Sequence, residues 1–286
     1  MLVDDGGTLV ARGTAPGATG HLFAEVEHAR FTKMVAAIAA ALPARPDAIH
    51  IGSTGLGPTA HDEARAILSA ALKTPRTRIT LSDDMELGYR AVFAPGAGHL
   101  IAAGTGSVGL HITAGGELIR VGGRGILIDD GGSGSWIALT ALDRLYRRID
   151  ETGHPANAKI LYDAIMTTIG GSGWDDIRSF VYGSDRGRIG TLAKTVAEAA
   201  EAGDPVARGV LDDAVAELAR LAQALRHRAG ALPVGFIGGV LELTATMKPA
   251  LRNALPEAEV LFPSPDAALT AAQIARHAFA ADSGRG

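Results

Sequence analysis

Runs of β-prone residues that break off into small or acidic loops, each followed by helical periodicity, recur along this chain. That alternation narrows the folds open to it more than any other feature. Residues 48–52 lead into Ser53-Thr54-Gly55-Leu56-Gly57-Pro58 and then a helical stretch over 62–73. Residues 78–81 end at Ser82-Asp83-Asp84 ahead of a helical stretch over 85–93, and residues 232–237 meet Gly238-Gly239 before another helix. Such strand–helix repetition predicts a mainly parallel α/β layer.

The remaining segments fill out that plan. Residues 1–3 and 8–11 flank the turn residues Asp4-Asp5-Gly6-Gly7 and predict a hairpin. Residues 23–42 have helical spacing. A second α/β segment begins near Gly98, with strands over 99–103 and 108–112, a turn at Ala114-Gly115-Gly116-Glu117, and a strand over 125–128 running into Asp129-Asp130-Gly131-Gly132-Ser133-Gly134. Helix follows over 136–149, and residues 150–190 are helical and irregular. The clearest helix opens at Asp204-Pro205, a residue pair suited to the N-cap and first helical position. Its apolar residues from Val210 to Leu225 recur every third or fourth position, and Gly230 stands just past its end. A strand over 260–262 and a helix over 266–280 close the chain. At about 150 residues per domain, a chain of 286 residues predicts two domains. We place them at 1–96 and 97–286, with the last helix packing back on the first.

Composition removes several classes of function. With 27 basic and 31 acidic residues the net charge is −4, which argues against a nucleic-acid partner held through its phosphates. No run of about 18 uncharged apolar residues is present to span a membrane. The absence of cysteine excludes disulfides, thiolate zinc sites, a cysteine nucleophile and a cysteine-held iron–sulfur cluster. The first residues lack the charge and apolar core of a signal peptide, so a cytoplasmic location is expected. The nine histidines have no metal-ligand spacing, and no resident metal site is expected.

In open α/β sheets ligands gather at the carboxyl ends of the strands, so four strand-end loops are the candidate site. Gly104-Thr105-Gly106-Ser107 suits an anion that approaches bare backbone, with amides and hydroxyls donating to phosphate oxygens; a turn between two strands uses the same glycines. Gly238-Gly239 suits an adenine or ribose lying against the chain, or close packing of helix on strand. Asp83 and Asp84 include a carboxylate able to take a proton from an attacking hydroxyl. If Asp83 caps the helix that follows, Asp84 is the candidate base. Asp129 and Asp130 divide likewise between a turn and a ligand contact.

In their order and spacing these residues resemble the BadF/BadG/BcrA/BcrD-type ATPases, especially their N-acetylglucosamine kinase branch. The likeness runs from Asp83-Asp84 through Gly104-Thr105-Gly106-Ser107, residues 125–134 and Ala202-Gly203-Asp204-Pro205-Val206-Ala207 to Gly238-Gly239-Val240. Its most specific pieces are the Gly104-Thr105-Gly106-Ser107 loop at the family's distance after the aspartate and the run Asp130-Gly131-Gly132-Ser133-Gly134-Ser135-Trp136-Ile137, similar to the family's Asp-Glu-Gly-Ser-Gly-x-Trp-Ile. The resemblance implies an α/β fold of two ribonuclease-H-like, actin-like ATPase domains with an interdomain cleft. It also implies ATP and Mg2+ as cofactors and transfer of the γ-phosphoryl group to an amino sugar such as N-acetylglucosamine or glucosamine. Asp84 is then the general base, Gly104 to Ser107 the second phosphate loop, and Gly238 and Gly239 the adenosine contact. Asp130 binds sugar hydroxyls, and Ser53 and His21 join Asp84 and Asp130 as substrate contacts. No nucleic-acid or membrane partner is implied, and a homodimer is compatible with the family.

The sequence departs from that pattern in places. The family's glutamate after the sugar-binding aspartate is Gly131, and the tryptophan often found upstream is Arg124. The family also opens on a strand leading into an Asp-Gly-Gly-Gly-Thr-Lys-Thr-like first phosphate loop. Asp5-Gly6-Gly7-Thr8 fits it superficially, but three residues precede Asp4 and no Lys-Thr follows Thr8, so residues 2–13 match the later hairpin better. On this reading the first strand and first phosphate loop are missing from the written chain, which is expected to be a poor catalyst. A non-catalytic sugar or nucleotide sensor is the alternative function. An ATPase that activates a reductase or dehydratase is disfavoured, because it needs cysteines for its cluster.

Overall fold

A computed structural model describes residues 1–280. In chain order its elements are β1 (Leu2–Val3), β2 (Leu9–Ala11), α1 (Glu25–Ala41), β3 (Ile49–Gly52), α2 (His61–Leu72), β4 (Ile79–Ser82) and α3 (Asp84–Arg90). Then come β5 (His99–Ala103), β6 (Ser107–Ile112), β7 (Leu118–Gly122), α4 (Gly134–Thr152), α5 (Lys159–Ile169), α6 (Trp174–Tyr182), α7 (Arg186–Gly190), α8 (Leu192–Glu201) and α9 (Pro205–Ala229). The chain finishes with β8 (Val234–Ile237), α10 (Met247–Ala254), β9 (Val260–Leu261) and α11 (Ala267–Ala280).

These elements form two compact units. One comprises Met1–Val92 together with the segment that starts at Pro265, and the other is Phe93–Ser264. The border thus falls after Val92, a few residues before the one expected at 96. α11 belongs to the first unit, where it packs against β3, α3 and β1.

In the first unit β1 and β2 pair antiparallel across a turn in which Asp4 Oδ1 accepts the Thr8 amide at 2.7 Å. β3 and β4 run parallel, in register from Ile49 against Ile79 to Gly52 against Ser82. Both therefore end on the same edge. The core beneath them gathers Phe31 and Val35 from α1, Ala64 and Leu68 from α2, and Leu56 from the loop after β3. Gly52 lies against α3 so closely that a Cβ there would stand 2.7 Å from the Leu87 side chain.

The second unit holds a five-stranded sheet in the order β7-β6-β5-β8-β9. β5, β8 and β9 are parallel, and β6 and β7 continue the sheet antiparallel from β5. α9 packs on β5, β6 and β7 through Val210, Ala214, Leu218, Leu221, Ala222 and Leu225, all essentially buried. Each buried leucine of that stripe contributes roughly 1.5–3 kcal/mol. Asp204 starts α9 as its sequence predicts. Its Oδ1 accepts the Val206 and Ala207 amides, and its Oδ2 accepts the Leu161 amide at 3.0 Å, so one cap also ties α9 to α5.

One strand expectation fails. Residues 125–128 form a turn, in which the amides of Ile128 and Asp129 both bond to the Gly125 carbonyl and Leu127 is 97% exposed. The cause is local. Gly122, Gly123 and Gly125 all have positive φ, and Asp129 accepts from the Arg124 amide at 2.7 Å and its guanidinium at 3.0 Å, closing the segment on itself.

Candidate functional site

The strand ends of the second unit bring three distant segments together. β5 and β8 are adjacent and parallel, with Ala102 opposite Ile237, so the loop after Ala103 and the glycines after Ile237 leave the same edge. Gly238, at φ 113°, is in such close contact with β5 that a Cβ would lie 2.3 Å from the Ala103 carbonyl oxygen. Gly239 beside it has no heavy atom within 4 Å of a built Cβ and leaves open backbone. The two glycines therefore differ in their surroundings: Gly238 is packed closely on β5, and Gly239 has open space beside its backbone.

The turn ahead of α4 holds the Gly104–Ser107 loop from the other side. The Gly134 amide donates to the Gly104 carbonyl at 2.8 Å, the Ser135 amide donates to the Thr105 carbonyl at 3.3 Å, and the Ser135 hydroxyl donates to the same oxygen. The first amides of α4 are spent on carbonyls of this loop. Ser107 is spent as well: its amide donates to Asp130 Oδ1 at 3.2 Å and its hydroxyl to the Gly131 carbonyl at 2.7 Å, and it is buried. The two donors that the sequence suggests for phosphate are thus bonded within the protein. Ser107 braces the loop, and the exposed residue of the four is Thr105.

Asp130 is 2% exposed and its backbone is left-handed, at φ 63°. Besides the Ser107 amide it faces Arg186 Nη1 at 3.4 Å, an arginine whose side chain is half exposed. A Cβ on Gly106 would lie 3.0 Å from the Asp130 carboxylate and 3.1 Å from the Arg186 guanidinium. A cation therefore sits against the loop that the sequence suggests for phosphate. Arg186 was not recoverable from the sequence, since it lies in an irregular stretch with no periodicity. Gly131 faces Glu217 of α9, whose carboxylate oxygen would lie 2.5 Å from a Cβ there.

The second cluster belongs to the first unit and sits at the paired ends of β3 and β4. Asp83 caps α3, its Oδ1 accepting the Glu86 amide at 2.6 Å. Asp84 is exposed, and both its oxygens are engaged. Oδ1 accepts the Met85 amide at 3.0 Å, and Oδ2 accepts the Thr54 hydroxyl at 2.6 Å. Ser53 is adjacent in the loop, its amide donating to the Ser82 carbonyl at 3.3 Å. The His21 ring covers Gly55, where a Cβ would stand 2.2 Å from it. Asp84, Ser53 and His21 thus share one strand-end cluster with Thr54, whereas Asp130 is placed in the other unit. Thr54 escaped the sequence reading, although a hydroxyl in the loop after the strand beside the Asp84 strand was the available signal.

His50 on β3 lies between two hydroxyls of β4, with Nδ1 2.9 Å from Thr80 Oγ1 and Nε2 3.3 Å from Ser82 Oγ. Burial, aided by the Arg90 charge, lowers its pKa to about 4. Among the described residues no group of three or more His, Cys, Asp or Glu could hold a metal ion, and no helix is long and apolar enough to cross a membrane.

Comparison with known proteins gives a consistent neighbourhood. A family model described as the BadF/BadG/BcrA/BcrD ATPase family matches residues 1–273. An N-acetylmuramic acid/N-acetylglucosamine kinase of Clostridium acetobutylicum is 27% identical over 175 residues, 60% of this chain. The match spans 55% of that relative's length. Two solved structures share the fold, both of proteins assigned as N-acetylglucosamine kinases. That from Chromobacterium violaceum has a TM-score of 0.71 at 22% identity, covering 94% of this chain and 91% of its own. That from Porphyromonas gingivalis has a TM-score of 0.73 at 18% identity, covering 96% and 94%.

Proposed function

The chain belongs to the BadF/BadG/BcrA/BcrD ATPase family, and from that membership we propose that it is an ATP-dependent kinase of an amino sugar such as N-acetylglucosamine or glucosamine. The observation that carries the reading is the pair of loops at the common edge of β5 and β8, one with an exposed Thr105 and one with open backbone at Gly239. The names of the relatives support the substrate class.

In this reading Gly104, Thr105 and Gly106 receive phosphate oxygens, with Arg186 supplying positive charge beside them, and Gly239 faces the nucleoside. Mg2+ binds chiefly to nucleotide phosphates and water, so a protein cluster of three ligands is not required, and Asp130 stays a contact to sugar hydroxyls in this reading. When bound, the ion neutralises charge on the transferring group. Asp84 accepts the proton of the sugar hydroxyl as its oxygen bonds to the γ-phosphorus. The bond from that phosphorus to the bridging oxygen breaks, and its electron pair departs on ADP. Ser53, in the loop that faces Asp84, and His21, whose ring covers Gly55 of that loop, orient the sugar.

ADP release with a panel of amino sugars tests the proposal, with Asp84→Asn as its control. The variant keeps the shape of the carboxylate and removes the proton acceptor, so turnover is expected to fall by about 10²–10⁴ with ATP affinity nearly unchanged. Wild-type turnover in the variant would overturn the assignment of the base. Binding of sugar and ATP without ADP release by the unmodified chain would instead favour the sensor.

A further inference from the structure

We propose that Thr54 is the positioning residue of the base, fixing the plane of the Asp84 carboxylate; this rests on the reading that Asp84 accepts the substrate proton. The terminal torsion of an aspartate is broad, so a single hydrogen bond leaves its carboxylate free to rock. At Asp84 both ends are held. The Met85 amide, fixed in the first turn of α3, donates to Oδ1, and the Thr54 hydroxyl donates to Oδ2 at 2.6 Å, a length in the range of charge-assisted hydrogen bonds. Each carboxylate oxygen can accept twice, so capacity remains for a substrate hydroxyl.

A positioning role requires that Thr54 itself be fixed, and its loop is held on every side. Its carbonyl accepts the Gly20 amide at 2.7 Å. The preceding Ser53 amide donates to the carbonyl of Ser82, at the end of the strand that carries Asp84. Gly55, at φ 75°, lies beneath the His21 ring, and Leu56 is 1% exposed in the core. Among residues 53–57 of this loop the Thr54 side chain alone is exposed. A loop anchored by its backbone and its next residue thus presents one hydroxyl to one carboxylate, across two strands in register. Surface threonines with no such role have no need of this anchoring.

The test uses Thr54→Val, which keeps the shape and removes the donor, and Thr54→Ser, which keeps the donor, each assayed for sugar and ATP saturation beside Asp84→Asn. Because Thr54 is exposed, both variants should melt with the unmodified protein. Misplacing a reacting group costs up to about a hundredfold, so Thr54→Val is expected to lower kcat by about 10- to 100-fold with both KM values within about twofold. Thr54→Ser should restore kcat to within about threefold of the original, the donor being present again. An unchanged kcat in Thr54→Val overturns the proposal. So does an equal loss in Val and Ser variants, which would make the methyl group the operative part, and so does a rise in sugar KM at constant kcat, which would make Thr54 a substrate contact. Full activity in Asp84→Asn overturns the base and Thr54's role with it, whereas loss there beside a normal Thr54→Val overturns the positioning role alone.

Discussion

Asp130, whose own backbone is left-handed, accepts the backbone amide of Ser107 at 3.2 Å. The contact joins the turn ahead of α4 to the first residue of β6 and fixes the end of the Gly104–Ser107 loop. A carboxylate so thoroughly buried needs its partners, and a left-handed backbone suits aspartate or asparagine better than alanine. Asp130→Asn keeps an acceptor for Ser107 and tolerates the backbone. Asp130→Ala leaves the amide unpaired and strains the chain, so it is expected to lose about 2–4 kcal/mol, clearly more than Asn does. Urea denaturation of the two variants checks this, and equal stability for Ala and the unmodified protein would refute it.

Gly238 and Gly239 are neighbours with opposite expectations. Alanine at 238 would have to adopt a φ of 113° and place its Cβ 2.3 Å from a backbone oxygen of β5. Gly238→Ala is therefore expected to cost about 2–4 kcal/mol of stability. Gly239→Ala meets open space and should leave stability within about 0.5 kcal/mol, as surface substitutions do. If nucleoside lies on that backbone, calorimetry will find weaker ATP binding in Gly239→Ala with an unaltered melting temperature. Unchanged affinity would remove Gly239 from the nucleotide site.

What the sequence disclosed follows from how local each signal is. The Asp204-Pro205 start, the apolar stripe from Val210 to Leu225 and Gly230 lie on one helix, and a single helix can be read without its neighbours. The cap at Asp83 is local in the same sense. Residues 125–128 were misread because Ile126, Leu127 and Ile128 are β-prone, while the glycines and the Arg124–Asp129 clamp that fold them into a turn act through backbone geometry. Thr54 and Arg186 were missed for a different reason. Each gains its place from a partner 30 or 56 residues away, and nothing in the flanking residues announces that partner. Ser107 is a residue type that suits phosphate, and nothing in the sequence signals that Asp130 and Gly131, 23 and 24 residues on, take its donors in the fold.

His50 predicts the acid limb of stability. Burial, with the Arg90 charge adding to it, lowers its pKa from the ordinary 6.5 to about 4 in the folded protein. A histidine with a depressed folded pKa binds its proton more readily when unfolded, so protonation favours unfolding. Above about pH 7 neither state is protonated and the group contributes no slope. As pH falls from about 6.5 to 4 the unfolded chain takes up a proton that the folded one refuses, and stability drops by up to about 1.4 kcal/mol per pH unit for each such group. His99, its pKa lowered first by burial, adds in the same direction. Glu27, lowered mainly by the Thr19 hydroxyl, and Asp266, lowered mainly by the Leu269 amide, lose their contribution only as pH falls through the carboxylate range. The loss between pH 6.5 and 5 therefore belongs to the histidines. Urea titrations at pH 7.5 and 5 should show the unmodified protein losing more stability than His50→Asn, which has no proton to gain there. An equal loss in both would mean that the His50 ring takes up its proton within the fold, and that the Thr80 and Ser82 hydroxyls accommodate its charged form.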